Sequence, residues 1–566
     1  MPPADAIVAT KVDANGIANA CACLGKKVES IDGDNILGDT TKFYESLNSS
    51  TKPQNYITKL ICEMKNSLIQ LQAKKLSIAK LEKMAILIHE SMSISTRNYH
   101  SVRHVFDLIN HDERIKNKDP IAILAACFHD CIYYHVDGGL TPVQAAILKG
   151  SFKIIGPKTE EHDASDCYCI STQQIYKFFA SDREQLIDTD MNSKMDLQIV
   201  ETIFGYVPGQ HIRITGDGLN EFLSALVAVR MLKDHLPVEI LIQIACCIEA
   251  TIPFRKPDQN GKTHMDKLYD NMKEVRQVYN LNLSDDDLIK SVQRACLLSN
   301  CDVGNFGTTD KLYFLDNTWS LLPEMNESLR NEHCFTVDHF HVALWSMYGF
   351  FGFLQPAVVF HEFQGVPPTS EMDGLIKECS NNLAFGRTYV GAKLVAMSLL
   401  SALAYLTGGD APISLFTGDL QATEPRENQV LRRMPVDEEE KKINSPDGMP
   451  EERPKNCNQT VYDILAKGRR SESSFDTKRS PWAAKLYSHL GDEGLNCILK
   501  EHKLYPMTEE RARSLLRALP LEPVQVIVKS ISEQAPSRAD KLWEIMNVLS
   551  LEKCNGGQHR KRKNSS

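Results

Sequence analysis

The sequence lacks the features that mark several large classes of protein. Its 566 residues contain no run of about eighteen apolar residues, so a membrane span is not expected. The N-terminus has neither a basic segment nor a long apolar one, which argues against a secretory signal. Strand-like alternation is not sustained, and no fixed-period repeat is present. These absences predict an all-α, cytoplasmic protein.

Zinc-ribbon spacing is also missing. The sixteen cysteines contain no Cys-x-x-Cys pair, so a structural zinc ribbon is not indicated. Cys127 and Cys296 lie singly in apolar stretches, where a free thiol behaves as a small buried hydrophobic residue. This usage favours free thiols in a reducing compartment over a disulfide framework.

Basic residues are fewer than acidic ones, and the spacing of a phosphate-binding loop is missing. The formal net charge is −9, which argues against general nucleic-acid binding through a basic surface. The glycines of 138–150 lack the strand-loop-helix spacing of a phosphate-binding loop. A P-loop is therefore not supported.

The most informative stretch is 95–134, which begins with a pair of histidines. His100 and His104 are four positions apart, so in a helix they would share one face. Ser95 or Thr96 could cap that helix. The sequence therefore predicts two imidazoles one turn apart.

A second helix follows and ends in a His-Asp pair. Asp119 and Pro120 suit its N-cap and first position, and Ile121–Phe128 is almost wholly apolar. The next residues, His129 and Asp130, are costly to bury without a partner. A divalent metal suits both side chains. A hydrogen-bonded core histidine is the competing interpretation. Two further His-Asp pairs, at 111–112 and 162–163, lie in charged, loop-like surroundings.

The pattern YHSVRHV, a charged loop and then LAACFHDCIYY resembles the HD-domain metal-dependent phosphohydrolases. That superfamily carries an H…HD…D ligand set on a helical bundle. The resemblance implies that His104, His129 and Asp130 bind metal. It also implies that His100 protonates the leaving group, as in the phosphodiesterase branch.

Two later segments extend the resemblance over about 80–310, and it could reach 417. GLNEFLSALVAVRML, from Gly218, is similar to a helix of the family's bacterial branch, which implies a catalytic role for Glu221 beside Asn220. RACLLSNCDVGNFG is similar to the family's last motif, which implies that Asp302 is the fourth ligand.

The chain departs from the family in three places. A long insertion, 136–217, precedes the Asn220 helix. The nearest candidate for a further histidine ligand is His135. A glutamine that reads a purine would be Gln355 or Gln364.

The predicted reaction is hydrolysis of a phosphomonoester or phosphodiester, most plausibly of a nucleotide. It would use one or two divalent ions (Mn, Mg, Zn or Fe) and an activated water. The metal follows from the residue types, whereas the phosphoryl chemistry follows from the resemblance. Three alternatives stay open: an oxygenase with extra histidine ligands, an inactive HD-fold nucleotide sensor, and an interaction protein.

Composition divides the chain into five segments, and the sequence names no protein partner for any of them. They are a partly ordered leader (1–54), an HD-type helical domain (55–417), a charged, Pro-rich linker (418–460), a small separate helical domain (461–551) and a basic tail (552–566).

For several segments the sequence leaves two interpretations open. The insertion contains helical pieces such as 171–187 and could be a substrate lid or a packing module. Arg255 and Lys256 could meet a phosphate or lie in a solvated loop. The aromatic segment from Val337 could form core or stack on a base. The apolar segment 388–406 suits a central helix of the bundle.

Overall fold

A computed structural model describes most of the chain in atomic detail. The described residues are 55–74, 76–116, 119–149, 151, 153–155, 175–177, 191–207, 211–213, 218–330, 334–418, 454, 456–471, 473 and 475–563. Only the backbone is described for 116, 153–155, 175–177, 191–194, 211, 213 and 553–563. The predicted leader, most of the linker, the pair at 162–163 and the end of the tail lie outside these residues.

The chain divides into two compact units, Met1–Cys62 and Glu63–Ser566. Of the first unit only 55–62 are described, and they begin helix α1 (Tyr56–Gln70). All packing described below is within the second unit.

Helices dominate the part of the chain up to Asp302. After α1 they are α2 (Ile78–Met92), α3 (Val102–His111), α4 (Glu113–Lys116), α5 (Pro120–Phe128), α6 (Tyr134–Asp137), α7 (Pro142–Ile147), α8 (Met191–Ile203), α9 (Leu219–Leu232), α10 (Val238–Ala250), α11 (His264–Val278) and α12 (Asp285–Asp302).

Helices also form the rest of the second unit. They are α13 (Lys311–Ser320), α14 (Leu322–Met325), α15 (Val337–Phe353), α16 (Thr369–Gly408), α17 (Ser414–Thr417), α18 (Gln459–Lys467), α19 (Pro481–Glu501), α20 (Glu509–Ala518), α21 (Leu521–Gln534) and α22 (Ala539–Lys563). Short 3-10 turns lie at Gly304–Gly307, Glu327–Arg330, Pro356–Val358 and Pro536–Arg538. The predicted helical fold class is confirmed at this level.

The insertion contains a small sheet that the sequence analysis did not predict. Its strands are β1 (Lys153–Ile155), β2 (Ile175–Lys177) and β3 (His211–Arg213), paired antiparallel in the order β1-β2-β3. The prediction of helix through 171–187 is therefore wrong at Ile175–Lys177. Pairing with two distant segments decides this conformation, because strand preference depends on neighbouring strands. Elsewhere in the insertion, α8 packs against α9, α10 and α11, which favours a packing role for that helix.

Helix α5 forms as its local sequence predicts. Asp119 caps it by accepting hydrogen bonds from the backbone N–H groups of Ile121 and Ala122, both at 3.1 Å, and Pro120 opens the first turn. All eight residues of Ile121–Phe128 are buried, because α3, α9, α10 and α12 pack around them. The end of α5 therefore delivers the next two residues to the interior of the bundle.

The C-terminal end of helix α12 lies close to the end of α5. Ser284 and Asp287 form a capping box at its start, and three aspartates occupy its favourable first turn. Arg294, in its middle, lies 2.5 Å from the Asp119 carboxylate that caps α5. This ion pair ties α12 to α5 and leads the last residue of α12, Asp302, toward the end of α5.

The C-terminal helices share a core with the helices before them. Buried side chains from 303–417 and from 457–549 form one continuous hydrophobic cluster, in which α16 packs against α15, α19 and α20. Residues 461–551 are therefore not a separate domain with a core of its own. The sequence analysis misjudged this boundary, because the linker's composition carries no information on how the flanking helices pack.

Helix α16 is much longer than the apolar segment that predicted it. By length and composition alone it could cross a membrane, and 83% of its most apolar stretch is buried inside the protein. A core helix shows the same pattern, and the sequence analysis placed 388–406 at the centre of a bundle.

Candidate metal centre

His129 and Asp130 lie where the chain leaves α5. His129 is 1% exposed, and its Nδ1–H donates to the carbonyl oxygen of Ala126 over 2.9 Å. This bond places a proton on Nδ1, so Nε2 is the nitrogen that can bind a cation or carry a second proton. Nε2 lies 2.9 Å from Asp130 Oδ2, yet neither atom makes a hydrogen bond to any described residue. Two such buried atoms need a cation or a proton between them.

His104 and Asp302 complete the group from two other helices. His104 lies in the first turn of α3, and its Nε2 is 2.8 Å from Asp302 Oδ1. The same Asp302 oxygen is 3.4 Å from His129 Nε2, and His104 Nε2 is 3.9 Å from Asp130 Oδ2. The structure therefore brings the four predicted ligands together.

The spacing of these atoms suits a small divalent cation. Ligands at about 2.1 Å from a metal lie roughly 3.0–3.4 Å from one another in octahedral or tetrahedral geometry. The separations found here run from 2.8 to 3.9 Å. The candidate ligand atoms of His104, His129 and Asp130 all lie within 4.8 Å of one another, so this group could hold a metal ion.

The charges of the group fit a cation as well. Burial lowers the pKa of His129, but the Asp130 carboxylate outweighs burial and holds that pKa well above its usual range. Burial raises the pKa of Asp302, and its hydrogen bond to His104 and the nearby His129 imidazole reverse this and lower it to about 2. In the metal-free protein the carboxylates are thus balanced by protonated imidazole, and a divalent ion would displace those protons.

Helix α9 holds the segment that follows Asp130. Ser224 Oγ accepts a hydrogen bond from the N–H of Ile132, and Asn220 Oδ1 accepts one from the N–H of Tyr134, both at 3.0 Å. Asn220 therefore lies close to the centre despite the long insertion before α9. Its role there is to position the backbone.

Glu221 lies next to Asn220 on α9 and is partly buried. Desolvation raises the pKa of its carboxyl to about 7, and the charges of Asp130 and Asp302 add to the effect. A carboxyl that titrates near neutrality can hold or accept a proton during a reaction. The structure thus places this predicted catalytic residue within electrostatic reach of the group.

His100 lies outside the helix on which the sequence analysis placed it. Helix α3 begins at Val102 with Ser101 as its N-cap, so the prediction that Ser95 or Thr96 caps it is wrong. Glu324 holds the preceding turn by accepting hydrogen bonds from the N–H groups of residues 98, 99 and 100 at 2.7, 2.6 and 3.1 Å. The His100 and His104 rings still lie 5.7 Å apart.

Glu324 also sets the protonation of His100. His100 Nδ1–H donates to Glu324 Oε2 over 2.5 Å. Burial lowers the pKa of His100, but the charges of Glu324 and Asp130 outweigh burial and raise it to about 9. At neutral pH the imidazole is therefore protonated. Glu324 was not predicted as a site residue, because its only sequence signal is a carboxylate within an apolar turn.

Arg97 and Asp137 form a second support that the sequence analysis missed. Arg97 Nε and Nη2 donate to the two Asp137 carboxylate oxygens at 2.8 and 2.6 Å, and Nη1 donates to the backbone carbonyl of Asp130 at 2.5 Å. This two-bond ion pair is buried and clamps the chain on both sides of the His-Asp pair. No short spacing links the two residues, so no local pattern could reveal the clamp.

Other predicted candidates lie elsewhere. Both guanidinium nitrogens Nη1 and Nη2 of Arg255 contact the Glu249 carboxylate, and Lys256 lies over the Phe353 ring. Arg255 is therefore neither a solvated residue nor open to a phosphate.

The remaining candidates also lie apart from the group. His111 packs against Gly304, where an added Cβ would lie 2.4 Å from the ring, and Asp112 pairs with Arg114. Gln355 and Gln364 are exposed, and His135 is not among the candidate ligands that the described residues bring together.

Comparison with known proteins adds no relative. No family model, no curated protein and no solved structure matches the chain. Function is therefore inferred from the site itself and from the resemblance of its motifs.

Proposed function

We propose that this protein is an HD-type metal-dependent phosphohydrolase that hydrolyses a phosphomonoester or phosphodiester, most plausibly of a nucleotide. One observation carries the proposal: the Nε2 atoms of His104 and His129 each lie 2.8 to 3.9 Å from an oxygen of Asp130 and of Asp302. Imidazole and carboxylate together, without a thiolate, suit Mn, Mg, Zn or Fe.

A divalent ion at this centre would supply two things. It lowers the pKa of a coordinated water toward neutrality and polarises a phosphoryl oxygen. His104, His129, Asp130 and Asp302 would hold it. The hydrogen bond from His129 Nδ1 to Ala126 and the clamp of Arg97 on the Asp130 carbonyl keep two of these ligands oriented before any ion binds.

Two further side chains would handle protons. His100 is protonated at neutral pH and is oriented through Nδ1 by Glu324, so its Nε2 proton can pass to the leaving-group oxygen. Glu221, whose pKa of about 7 lies close to cellular pH, can accept the proton that the attacking water loses. Both pKa values are raised, which keeps His100 protonated as the acid and brings Glu221 close to neutrality as the base.

The first test is metal analysis of the purified protein, followed by a screen of nucleotides and simple phosphoesters. We expect bound divalent metal and turnover in the natural protein, and loss of both in Asp130→Ala, because a buried ligand is removed. The chain offers a matched control in its second described His-Asp pair. Asp112→Ala, which removes a carboxylate paired with Arg114, should keep metal and turnover.

The outcomes separate the proposal from its alternatives. Equal turnover by Asp130→Ala and the natural protein would exclude this centre. Nucleotide binding without turnover would support an inactive sensor, and absence of metal would leave an interaction protein. Iron together with oxygen consumption would indicate an oxygenase.

A further inference from the structure

A polar cavity of about 440 Å³ adjoins the metal centre. Tyr99 and His104 line one end, so the cavity opens onto a candidate metal ligand. Another part of the lining comes from residues of the C-terminal region outside the part of the chain that resembles HD proteins, namely Arg469, Arg470, Ser471, Ser473 and Phe475. A volume of this size lies within the range of about 300–1,000 Å³ that is usual for small-molecule sites.

Helix α13 supplies a wall with unused polar atoms. Trp319 lines the cavity and is 2% exposed, and its Nε1–H has no hydrogen-bond partner among the described residues. Asp316 also lines it, and its Oδ1 makes no hydrogen bond there but lies 3.9 Å from Arg469 Nε. A buried donor left without a hydrogen bond is costly to a folded protein, so the Trp319 N–H favours a polar ligand that pairs with it.

The C-terminal segment is fastened to this wall. The Ser471 N–H and hydroxyl both donate to Asp316 Oδ2, at 3.2 and 3.1 Å. Arg469 is buried, donates to Asp476 at 2.9 Å and lies 4.7 Å over the Trp319 ring. Arg469 therefore holds the indole in place, and the C-terminal helices take part in shaping the cavity.

The charges of the lining argue against a further phosphate subsite. Asp107 and Asp316 offset the cations of Arg103 and Arg470, and these arginines already pair with Asp107 and Asp310 at 3.5 and 2.7 Å. What remains is a nearly neutral surface of hydroxyls, amides and aromatic rings. Such a surface suits a sugar and a base, because hydroxyls and ring nitrogens pair with the polar groups while the base contacts the rings.

We propose that this cavity binds the nucleoside part of the substrate while its phosphoryl group lies at the metal centre. This inference rests on the proposed function for the position of the phosphoryl group. It assigns the C-terminal region a role in substrate selection, which the motifs around the metal ligands do not suggest.

The test is direct binding of the four common ribonucleosides and their monophosphates, measured by calorimetry on the full-length protein. Trp319→Phe keeps an aromatic ring but removes the indole N–H together with the rest of the five-membered ring, so the Kd of the bound nucleoside should rise about three- to tenfold. Ser320→Trp fills the cavity with a bulky side chain and should abolish nucleoside binding.

The chain provides a matched control in Trp482. Its Nε1–H also lacks a partner among the described residues, and it lines a different cavity beside Lys393. Trp482→Phe removes the same atom at comparable cost to folding and should leave the Kd unchanged. Thermal melts of all three variants confirm that each one is folded.

Each outcome bears on one proposal at a time. If no nucleoside or nucleotide binds the natural protein, or if Ser320→Trp binds as well as the natural protein, the cavity assignment is wrong. If nucleosides bind with the expected pattern but no phosphoester is hydrolysed, the cavity assignment stands and the proposed hydrolase function fails.

Discussion

Asp130 and Asp476 are two largely buried carboxylates whose neighbours differ in charge. Asp476 Oδ2 lies 2.8 Å from Lys393 Nζ and 2.9 Å from Arg469 Nη1, so two permanent cations surround it. Asp130 Oδ2 faces His129 and His104, and the Asp302 carboxylate lies against the same imidazoles.

The difference separates a structural group of charges from a functional one. Around Asp476 the cations are part of the chain, so the group is complete once the protein folds. Around Asp130 the balance depends on protons that imidazole can release, which leaves room for an external cation. Buried charge alone therefore does not mark a site; the marker is buried charge that the described side chains do not permanently balance.

Among changes that leave the metal ligands intact, the largest effect on activity should follow removal of the proposed acid, His100. His100→Gln keeps a side chain that can donate to Glu324 but cannot pass a proton to the leaving group. We expect kcat to fall by about 10²–10⁴-fold with metal content unchanged. Steady-state kinetics and metal analysis test this together.

The control for His100 is a neighbouring histidine outside the group. His135→Gln replaces a partly buried imidazole that is not among the candidate ligands and should leave kcat near that of the natural protein. If the two variants lose activity equally, His100 is not the proton donor.

The largest effect on stability should come from the group formed by Asp476, Lys393 and Arg469, whose charges balance without an external ion. Asp476→Asn leaves Lys393 and Arg469 buried without a counter-charge, so the free energy of unfolding should fall by about 3–5 kcal/mol. Denaturant unfolding measures the loss. The proportion of protein that remains folded should keep its metal content.

The comparison is sharpest with the same substitution at the metal centre. Asp302→Asn in chelator-treated protein removes one of two adjacent carboxylates and should cost far less than Asp476→Asn. The variant should nevertheless lose metal affinity. Equal destabilisation by the two substitutions would mean that the two groups do not differ in the way argued here.

The sequence predicted the parts of the site whose signals are local. Asp119, Pro120 and the apolar run after them specify α5 within one turn of its start, and the apolar end of α12 leads directly to Asp302. The position of each ligand could therefore be predicted from its own helix. Their meeting point rested on the resemblance to a family, because spacing alone does not bring α3, α5 and α12 together.

The missed parts depend on partners far apart in the chain. Glu324 fixes the turn around His100 from a distant helix, and Arg97 reaches Asp137 across the intervening α5. The same reason explains the sheet at Ile175–Lys177 and the shared core of the C-terminal helices. In each case long-range packing decides a conformation to which the local sequence is indifferent.

A smaller effect concerns the pKa values of two histidines, His341 in the C-terminal core and His100 beside the metal centre. His341, on α15, is fully buried, and its Nε2–H donates to Ser398 Oγ over 2.8 Å, because that hydroxyl already donates to the Leu394 carbonyl. Its Nδ1 has no hydrogen-bond partner among the described residues. Burial lowers the pKa of His341 to about 4, whereas the pKa of His100 is raised to about 9.

The sign of the pH effect follows from this depressed pKa. Between pH 6.5 and pH 4 the unfolded chain binds a proton at His341 that the folded protein does not, so acid favours unfolding. With a pKa of about 4 in the folded protein, this one group should cost about 2 kcal/mol of stability between pH 7 and pH 5. His341→Gln can keep the bond to Ser398 but does not titrate, so urea unfolding at the two pH values should show a smaller loss in this variant by about that amount.

His339→Gln, which replaces an exposed imidazole on the same helix, is the matched control. If His341→Gln and the natural protein lose the same stability between the two pH values, protonation of His341 does not destabilise the folded protein. The pKa of His341 would then not be lowered, and the contrast with His100 would fail.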